Sequence, residues 1–294
     1  MKEYFKINVN YYDATKNHFV VRPASLDLPK DNAVMFVAEK FMHKSDALLQ
    51  CNHCLVFWPC NVTVPDDIKA KHAIVLGEDP RAEYCKFYKK NRITNIPKKE
   101  KVVLVDGAYI AKNVKIGDDV QIMPGAYIGG NVLIGNHVYI GSGVRITGEV
   151  SIGNHVIIRE NTVIGADGLS TNRDEEGKPI TMPQFGGVII EDDVEIGALA
   201  VIARGAIDDT VLHKGCKIDN SCFVSHNVQI GSNTLVVGET ILFGSSSTGE
   251  RAFVSGNVAI REGIHIGKEA VIGMGSVVVK PVADGAVVKG NPAR

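Results

Sequence analysis

The chain has 294 residues, 45% of them hydrophobic, and a formal net charge of −1 at pH 7. A near-neutral chain offers no electrostatic reason to have nucleic acid as its main partner. No stretch reaches the roughly 20 apolar residues of a membrane helix, and the first residues lack an apolar core of signal-peptide length. We therefore expect a protein without a membrane span that works in the cytoplasm.

Residues 1–98 differ in composition from the rest and predict a small α/β domain. The segments "NAVMFVAEKF", "CLVFWPC" and "HAIVLGE" are typical of short buried strands. The segment "DPRAEYCKFYKKN" is typical of an amphipathic helix, because Asp79 and Pro80 are residue types that begin helices. The end of this domain is expected near "NIPKKEK" (95–101).

Among six cysteines, Cys51 and Cys54 have the spacing of half a zinc site. The other half would have to come from Cys60 and Cys85, whose spacing is not that of a ligand pair. The sequence therefore predicts reduced, partly buried thiols and no metal.

From residue 104 onward, an aliphatic residue recurs every six positions, with a break at 165–188 and a slip of four residues in "GAIDDT". Only Thr248 departs from the aliphatic type. A helix would repeat at 3.6 residues and one face of a strand at 2, so a period of six indicates short strands that turn a corner after each repeat. Three such strands form one triangular coil of a hexapeptide β-helix. The recurring positions are Leu104, Ile110, Ile116, Ile122, Ile128, Ile134, Ile140, Ile146, Ile152, Ile158, Ile164, Ile190, Ile196, Ile202, Leu212, Ile218, Val224, Ile230, Val236, Leu242, Thr248, Val254, Ile260, Ile266, Ile272 and Val278.

The predicted fold is mainly β, a parallel β-helix over 99–280 that follows the small α/β domain and precedes a short tail, 281–294. Successive coils should stack at strand spacing, about 4.8 Å. Cys216 and Cys222 take a position where small residues recur, so we expect them inside the coils. The polar segment 165–188 should leave one edge of the solenoid as a flap loop.

His226 is the residue of the repeat region that most needs an explanation. Stacking the coils aligns the residues that come two positions after four of the recurring aliphatic residues. The residues aligned in this way are Arg204, His226, Gly244 and Glu262. A histidine beside a glycine predicts a notch about one coil deep, where the imidazole could act as a general base and the Gly244 N–H could meet an oxyanion. Arg204 and Glu262 become candidates for binding a substrate, whereas the plainer interpretation is an exposed corner histidine.

Four segments closely resemble the UDP-3-O-acylglucosamine N-acyltransferases of lipid A synthesis. The segments are "GADG" (165–168), "MPQFGGVIIEDDVEIGA" (182–198), "RGAIDDT" (204–210) and "IDNSCFVSHNVQIG" (218–231). The similarity covers the chain from about residue 20. It is weaker in the N-terminal part, which resembles that family's uridine-binding domain. It implies a left-handed β-helix, although parallel crossovers are normally right-handed. It also implies a homotrimer with active sites between neighbouring solenoids.

The resemblance implies roles for individual residues. His226 would deprotonate the amine of a UDP-linked amino sugar as it attacks an acyl thioester, and Gly244 would supply an oxyanion-hole amide. Asn220 matches an asparagine that contacts the substrate. The family's uridine motif, F-x-x-N-P-K-Y, appears here as "FVAEKF", so Phe36 and Phe41 are the aromatic candidates for binding the nucleotide.

The resemblance implies an acyl thioester as co-substrate, on acyl carrier protein or CoA, and no cofactor. In place of the family's carrier-binding helix, the chain has the ending "GNPAR", which looks like those of CoA-dependent hexapeptide acetyltransferases. Lys289 and Arg294 are candidates for binding the donor, since CoA phosphates and an acidic carrier both favour cations. The family's second histidine is replaced by Glu262 and Gly263. An acetyl-CoA-dependent nucleotide-sugar N-acetyltransferase is therefore an alternative, and a non-catalytic scaffold is a second one.

Overall fold

The computed structural model describes residues 2–97 and 99–294, and these form two compact units. The first unit contains the chain up to Ile96 together with Leu169–Phe185, and the second contains Pro97–Gly168 and Gly186–Arg294. The predicted domain boundary falls on Lys98, which lies outside the described residues. The segment predicted to form a flap loop is divided between the two units.

The first unit is a small α/β structure built on a parallel four-stranded sheet, whose strands lie in chain order. Its strands are Arg22–Pro23, Ala33–Phe36, Leu55–Pro59 and Ala73–Gly77, and an antiparallel pair is formed by Ile7–Asn8 and Phe19–Val20. The helices are α1 (Asp66–Lys71), α2 (Pro80–Lys90) and two 3₁₀ helices, Val9–Tyr11 and Glu39–Gln50. The carboxylate of Asp79 accepts the first N–H groups of α2, as the sequence predicts. Among the described residues no helix is long and apolar enough to cross a membrane.

The second unit is a β-helix with three sheets, which we call the first, second and third faces in the order in which the chain visits them. The first face contains Val102–Val105, Ala108–Ala111, Tyr127–Ile128, Arg145–Ile146, Val163–Ala166, Val201–Ala203, Phe223–Val224, Ile241–Leu242, Ala259–Ile260 and Val277–Val278. The second contains Lys115–Ile116, Val132–Ile134, Val150–Ile152, Val188–Ile190, Thr210–Leu212, Gln229–Ile230, Ser247–Thr248 and His265–Ile266. The third contains Gln121–Ile122, Tyr139–Ile140, Ile157–Ile158, Glu195–Ile196, Lys217–Ile218, Leu235–Val236, Phe253–Val254, Val271–Ile272 and Val287–Val288.

The register of the faces confirms the six-residue pattern. On the first face Val224 lies between Ile202 and Leu242, and all three side chains are buried. Cys216 and Cys222 are also buried in this core, where burial raises the pKa of Cys216 to about 12. The predicted left-handed parallel β-helix preceded by a small α/β domain is therefore the fold of this chain.

The two ends of the β-helix differ from the pattern. Leu104 lies in a strand that pairs antiparallel with Ala108–Ala111, and it is 65% exposed because no coil covers it. At the other end, Val287–Val288 pairs with Val271–Ile272. The third face thus extends into the segment that the sequence analysis describes as a tail.

The segment that interrupts the repeat folds as an antiparallel hairpin of Thr171–Arg173 and Pro179–Thr181 within the first unit. Its charged residues pair with α2: Glu175 with Lys86, and Asp174 with Lys89 at 3.4 Å. Sequence spacing could not show this pairing, because the helix lies far earlier in the chain. That the hairpin closes over a sugar stays a prediction.

Candidate active site

His226 lies at the corner between the first and second faces, directly after the strand Phe223–Val224. Its half-buried imidazole lies against the backbone of Gly244 in the next coil. A Cβ atom at position 244 would be 2.5 Å from Nε2, closer than such atoms approach, so only glycine leaves room for the ring. The space above Gly244, which the sequence predicts as a notch beside the histidine, is therefore occupied by the imidazole edge itself.

A second glycine borders the same ring. A Cβ atom at position 168 would lie 3.0 Å from Cβ and Cδ2 of His226. Gly168 belongs to the "GADG" segment, for which the sequence analysis assigned no role to the last glycine. The backbones of Gly168 and Gly244 together restrict where the imidazole can lie.

Asn227 determines which ring nitrogen of His226 carries the proton. Its Oδ1 accepts a hydrogen bond from the Ala206 N–H at 3.0 Å, and its Nδ2 donates to the Asp208 carbonyl at 2.7 Å. These backbone partners fix the orientation of the amide, so Oδ1, 3.1 Å from Nδ1 of His226, can only accept. Nδ1 is therefore protonated in the neutral ring, and the lone pair is on Nε2, the atom beside Gly244.

The slip of four residues in the repeat builds the support for Asn227. Residues 205–209 form a loop whose ends are held by Gly187, since the Gly187 carbonyl accepts from the N–H of Gly205 at 3.0 Å and of Thr210 at 3.1 Å. The Thr210 hydroxyl in turn accepts the N–H of Asn227 at 2.9 Å. Asn227 itself has a positive φ of 61°, a conformation that asparagine tolerates better than most residues. The break in the six-residue period indicated that an irregular contact lies in this region. It did not indicate that Asn227 makes the contact.

The remaining residues of the predicted column differ in exposure. Arg204 is buried, and its Nε donates to the Gly186 carbonyl at 2.7 Å. Partial burial raises the pKa of the Asp167 carboxyl, and the Arg204 guanidinium opposes that shift. Glu262 is exposed in the coil after Gly244. Arg204 thus supports the backbone near the site, while Glu262 is accessible to a ligand.

The backbone N–H of Gly244 makes no hydrogen bond within residues 2–97 and 99–294. The Gly244 carbonyl, by contrast, accepts the N–H of Gly263 at 3.0 Å. A backbone donor next to Nε2 of His226 is what stabilisation of a developing oxyanion requires.

Three other predicted residues lie at a different corner. Asn220 follows the strand Lys217–Ile218 of the third face, and its Oδ1 accepts the Ala198 N–H at 2.7 Å. Lys289 and Arg294 follow the last strand of that face, and their backbones exchange hydrogen bonds of 3.1 and 3.2 Å. One chain therefore does not bring Asn220, Lys289 or Arg294 to the corner of His226.

The two candidate aromatic residues of the first unit have different surroundings. Phe36 is half-buried against Tyr84, with 5.0 Å between ring centroids. Phe41 is 37% exposed, and the Nζ atoms of Lys40 and Lys44 lie 4.8 and 5.7 Å from its ring centroid. Phe41 thus offers an accessible ring with cations beside it, whereas Phe36 packs within the unit.

Comparison with known proteins agrees with the repeat. Residues 113–148 and 131–166 match the model of the bacterial transferase hexapeptide family (six repeats). A UDP-3-O-acylglucosamine N-acyltransferase of Francisella tularensis is 54% identical over 79 residues, 27% of this chain and 23% of the relative. One of Coxiella burnetii is 51% identical over 89 residues, 30% of this chain and 26% of the relative.

The chain spans about a quarter of the length of the curated relatives it matches. Within that span the resemblance predicted from the sequence is confirmed. A solved UDP-N-acetylglucosamine acyltransferase from Bacteroides fragilis has a TM-score of 0.58 at 26% identity, covering 65% of this chain and 73% of that one. Another from Campylobacter jejuni has a TM-score of 0.58 at 24% identity, covering 64% and 72%, and shows the shared fold alone.

Replacing Gly244 with alanine should displace the imidazole of His226. The added methyl group would lie 2.5 Å from Nε2, so the ring must turn and lengthen the 3.1 Å contact between Nδ1 and Asn227. A crystal structure of Gly244→Ala checks this. In the control Gly256→Ala, the nearest atom to the new Cβ is the Gly238 carbonyl at 3.3 Å, and His226 should not move. An unmoved ring in Gly244→Ala would contradict the arrangement described here.

Proposed function

We propose that the protein transfers an acyl group from a thioester donor to the amine of a UDP-linked amino sugar, with His226 as general base. The observation that carries the proposal is the hydrogen bond from Nδ1 of His226 to Asn227, which leaves the lone pair on Nε2 beside Gly244. The names of the two relatives, both UDP-3-O-acylglucosamine N-acyltransferases, support the acyl transfer and the type of sugar.

The proposed reaction begins when the neutral amine attacks the thioester carbonyl. Nε2 of His226 takes the proton that the nitrogen loses, and the N–H of Gly244 stabilises the charge on the carbonyl oxygen. The intermediate then collapses, the carbon–sulfur bond breaks, and the imidazolium returns its proton to the leaving thiolate. The products are an amide and a free thiol, and His226 is again neutral with its proton on Nδ1.

The donor is either an acyl carrier protein or CoA, and Lys289 and Arg294 are proposed to bind it. The mass of the amide product distinguishes transfer of a long acyl chain from transfer of the acetyl group, which the alternative enzyme would use. Mass spectrometry after incubation of UDP-amino sugars with acetyl-CoA, long-chain acyl-CoA and acyl carrier protein therefore tests the proposal directly. The absence of any amide product would favour the scaffold alternative.

His226→Ala should lower turnover by about 10²–10⁴-fold, the usual contribution of a general base. The fold should be retained, because His226 lies at a corner and the buried residues beside it, Val224 and Val228, are unchanged. His265→Ala is a matched control, since His265 is exposed on the second face and contacts Ser247 at 2.8 Å. Near-normal turnover of a folded His226→Ala variant would rule out the proposed role.

We further propose a homotrimer in which neighbouring solenoids share each site. His226 and Asn220 occupy different corners of one chain, so a site that contains both needs a second copy. Exposed apolar side chains flank the corner of Asn220: Leu235 and Phe253 are neighbours on the third face, and Ile241 begins the next strand of the first. Such side chains are typical of a surface that another subunit covers.

Light scattering should give a mass about three times that of the 31.7 kDa chain. Leu235→Glu combined with Phe253→Glu should convert the protein to a monomer and abolish turnover together, because the site would be incomplete. A fully active monomer would contradict the shared site.

Phe41 is the residue proposed to stack on the uracil ring, with Lys40 and Lys44 beside it for the phosphates. Phe41→Ala should weaken UDP-sugar binding roughly 2- to 12-fold, the value of one aromatic contact, with little change in melting temperature. Phe36→Ala is the comparison, and it should lower the melting temperature because Phe36 packs on Tyr84. A melting temperature that falls as far in Phe41→Ala as in Phe36→Ala would instead make Phe41 a core residue.

A further inference from the structure

Three metal-ligand side chains converge inside the first unit. Cys51 ends the 3₁₀ helix Glu39–Gln50, Cys54 precedes the strand Leu55–Pro59, and His72 follows α1. Their ligand atoms all lie within 4.8 Å of one another, and none of the three residues is more than 1% exposed. The sequence analysis looked for the second half of a zinc site in Cys60 and Cys85, whereas the fold brings His72 to the pair.

The sulfur spacing fits two ligands of one ion. The Sγ atoms of Cys51 and Cys54 are 3.6 Å apart. Two thiolates bound to one tetrahedral zinc at about 2.3 Å would be roughly 3.8 Å apart. A disulfide would require about 2.05 Å and an oxidant.

His72 is oriented as metal-bound histidines are. Its Nε2 is 2.9 Å from the carbonyl of Leu48, which can only accept, so Nε2 carries the proton. The lone pair is therefore on Nδ1, which accepts the N–H of Cys54 at 3.2 Å, and an ion that binds Nδ1 would replace this hydrogen bond. A ring N–H held by a backbone carbonyl is the usual outer contact of a metal-bound histidine.

We propose that Cys51, Cys54 and His72 bind one zinc-type divalent ion. Binding displaces the two thiol protons to solvent, and the thiolate charges balance the ion. Without the ion, the Cys54 thiol donates to the Lys30 carbonyl at 3.3 Å, and the contact with Cys51 together with burial raises its pKa. Because the ligands are fully buried and come from three separate elements, the ion would stabilise the first unit and take no part in acyl transfer.

Cobalt(II) is the probe for the test, since its tetrahedral thiolate complexes absorb strongly. The full chain, reduced and freed of metal by a chelator, should develop thiolate-to-cobalt bands that saturate at one equivalent and disappear when zinc is added. Cys54→Ser should lower the cobalt affinity at least about 100-fold, because even the outer contacts of metal ligands contribute roughly 10–100-fold. Cys60→Ser is the matched control in the same unit, because Cys60 is exposed, and it should bind as the unchanged chain does.

A second measurement is the unfolding temperature with and without zinc. Zinc should raise it for the unchanged chain and for Cys60→Ser, and not for Cys54→Ser, since an ion that binds only the folded state stabilises it. The proposal is overturned if the unchanged chain, with its thiols titrating as free, shows no cobalt bands. Equal cobalt binding by Cys54→Ser would overturn it as well. The titration of the unchanged chain decides the question even where a variant does not fold.

Discussion

Stacking of each coil on its neighbours at a constant register is the constraint on which the second unit depends. Once Val224 lies between Ile202 and Leu242, every corner residue has a defined neighbour above and below. Where a corner side chain turns toward the backbone of the adjacent coil, the residue it meets there must be small. His226 and Gly244 are such a pair, and the 2.5 Å approach of a hypothetical Cβ shows how little freedom the pair has.

The candidate site combines this register with one departure from it. The regular coils supply the position of the imidazole, while the irregular loop at 205–209 holds Asn227, which determines the tautomer of the neutral ring. A neutral amide in this place holds the proton on Nδ1 without adding a negative charge. The imidazole of His226 is thereby oriented by the Asn227 amide and by the backbones of Gly168 and Gly244.

The period alone was enough to predict the β-helix, its register and the adjacency of His226 and Gly244, because a strict repeat converts sequence spacing into spatial adjacency. It did not predict Gly168, the second glycine beside the ring. It could not predict Asn227, because the partners of Asn227 lie where the repeat slips. It made Arg204 a candidate for binding substrate without showing that the side chain is buried and that its Nε donates to the Gly186 carbonyl. His72 was missed for a related reason: the first unit has no repeat, so nothing in the spacing places position 72 beside Cys51 and Cys54.

The hairpin belongs to the first unit, although its sequence interrupts the repeats of the second. This arrangement limits which truncations can leave a unit intact. The chain passes from one unit to the other after Ile96, after Gly168 and after Phe185. Removing everything up to Ile96 would leave the hairpin without α2, and Phe185 without Tyr4 and Tyr88, its aromatic neighbours at 5.0 and 5.4 Å. The two units thus alternate along the chain, and neither can be expressed as an intact piece by truncating one end.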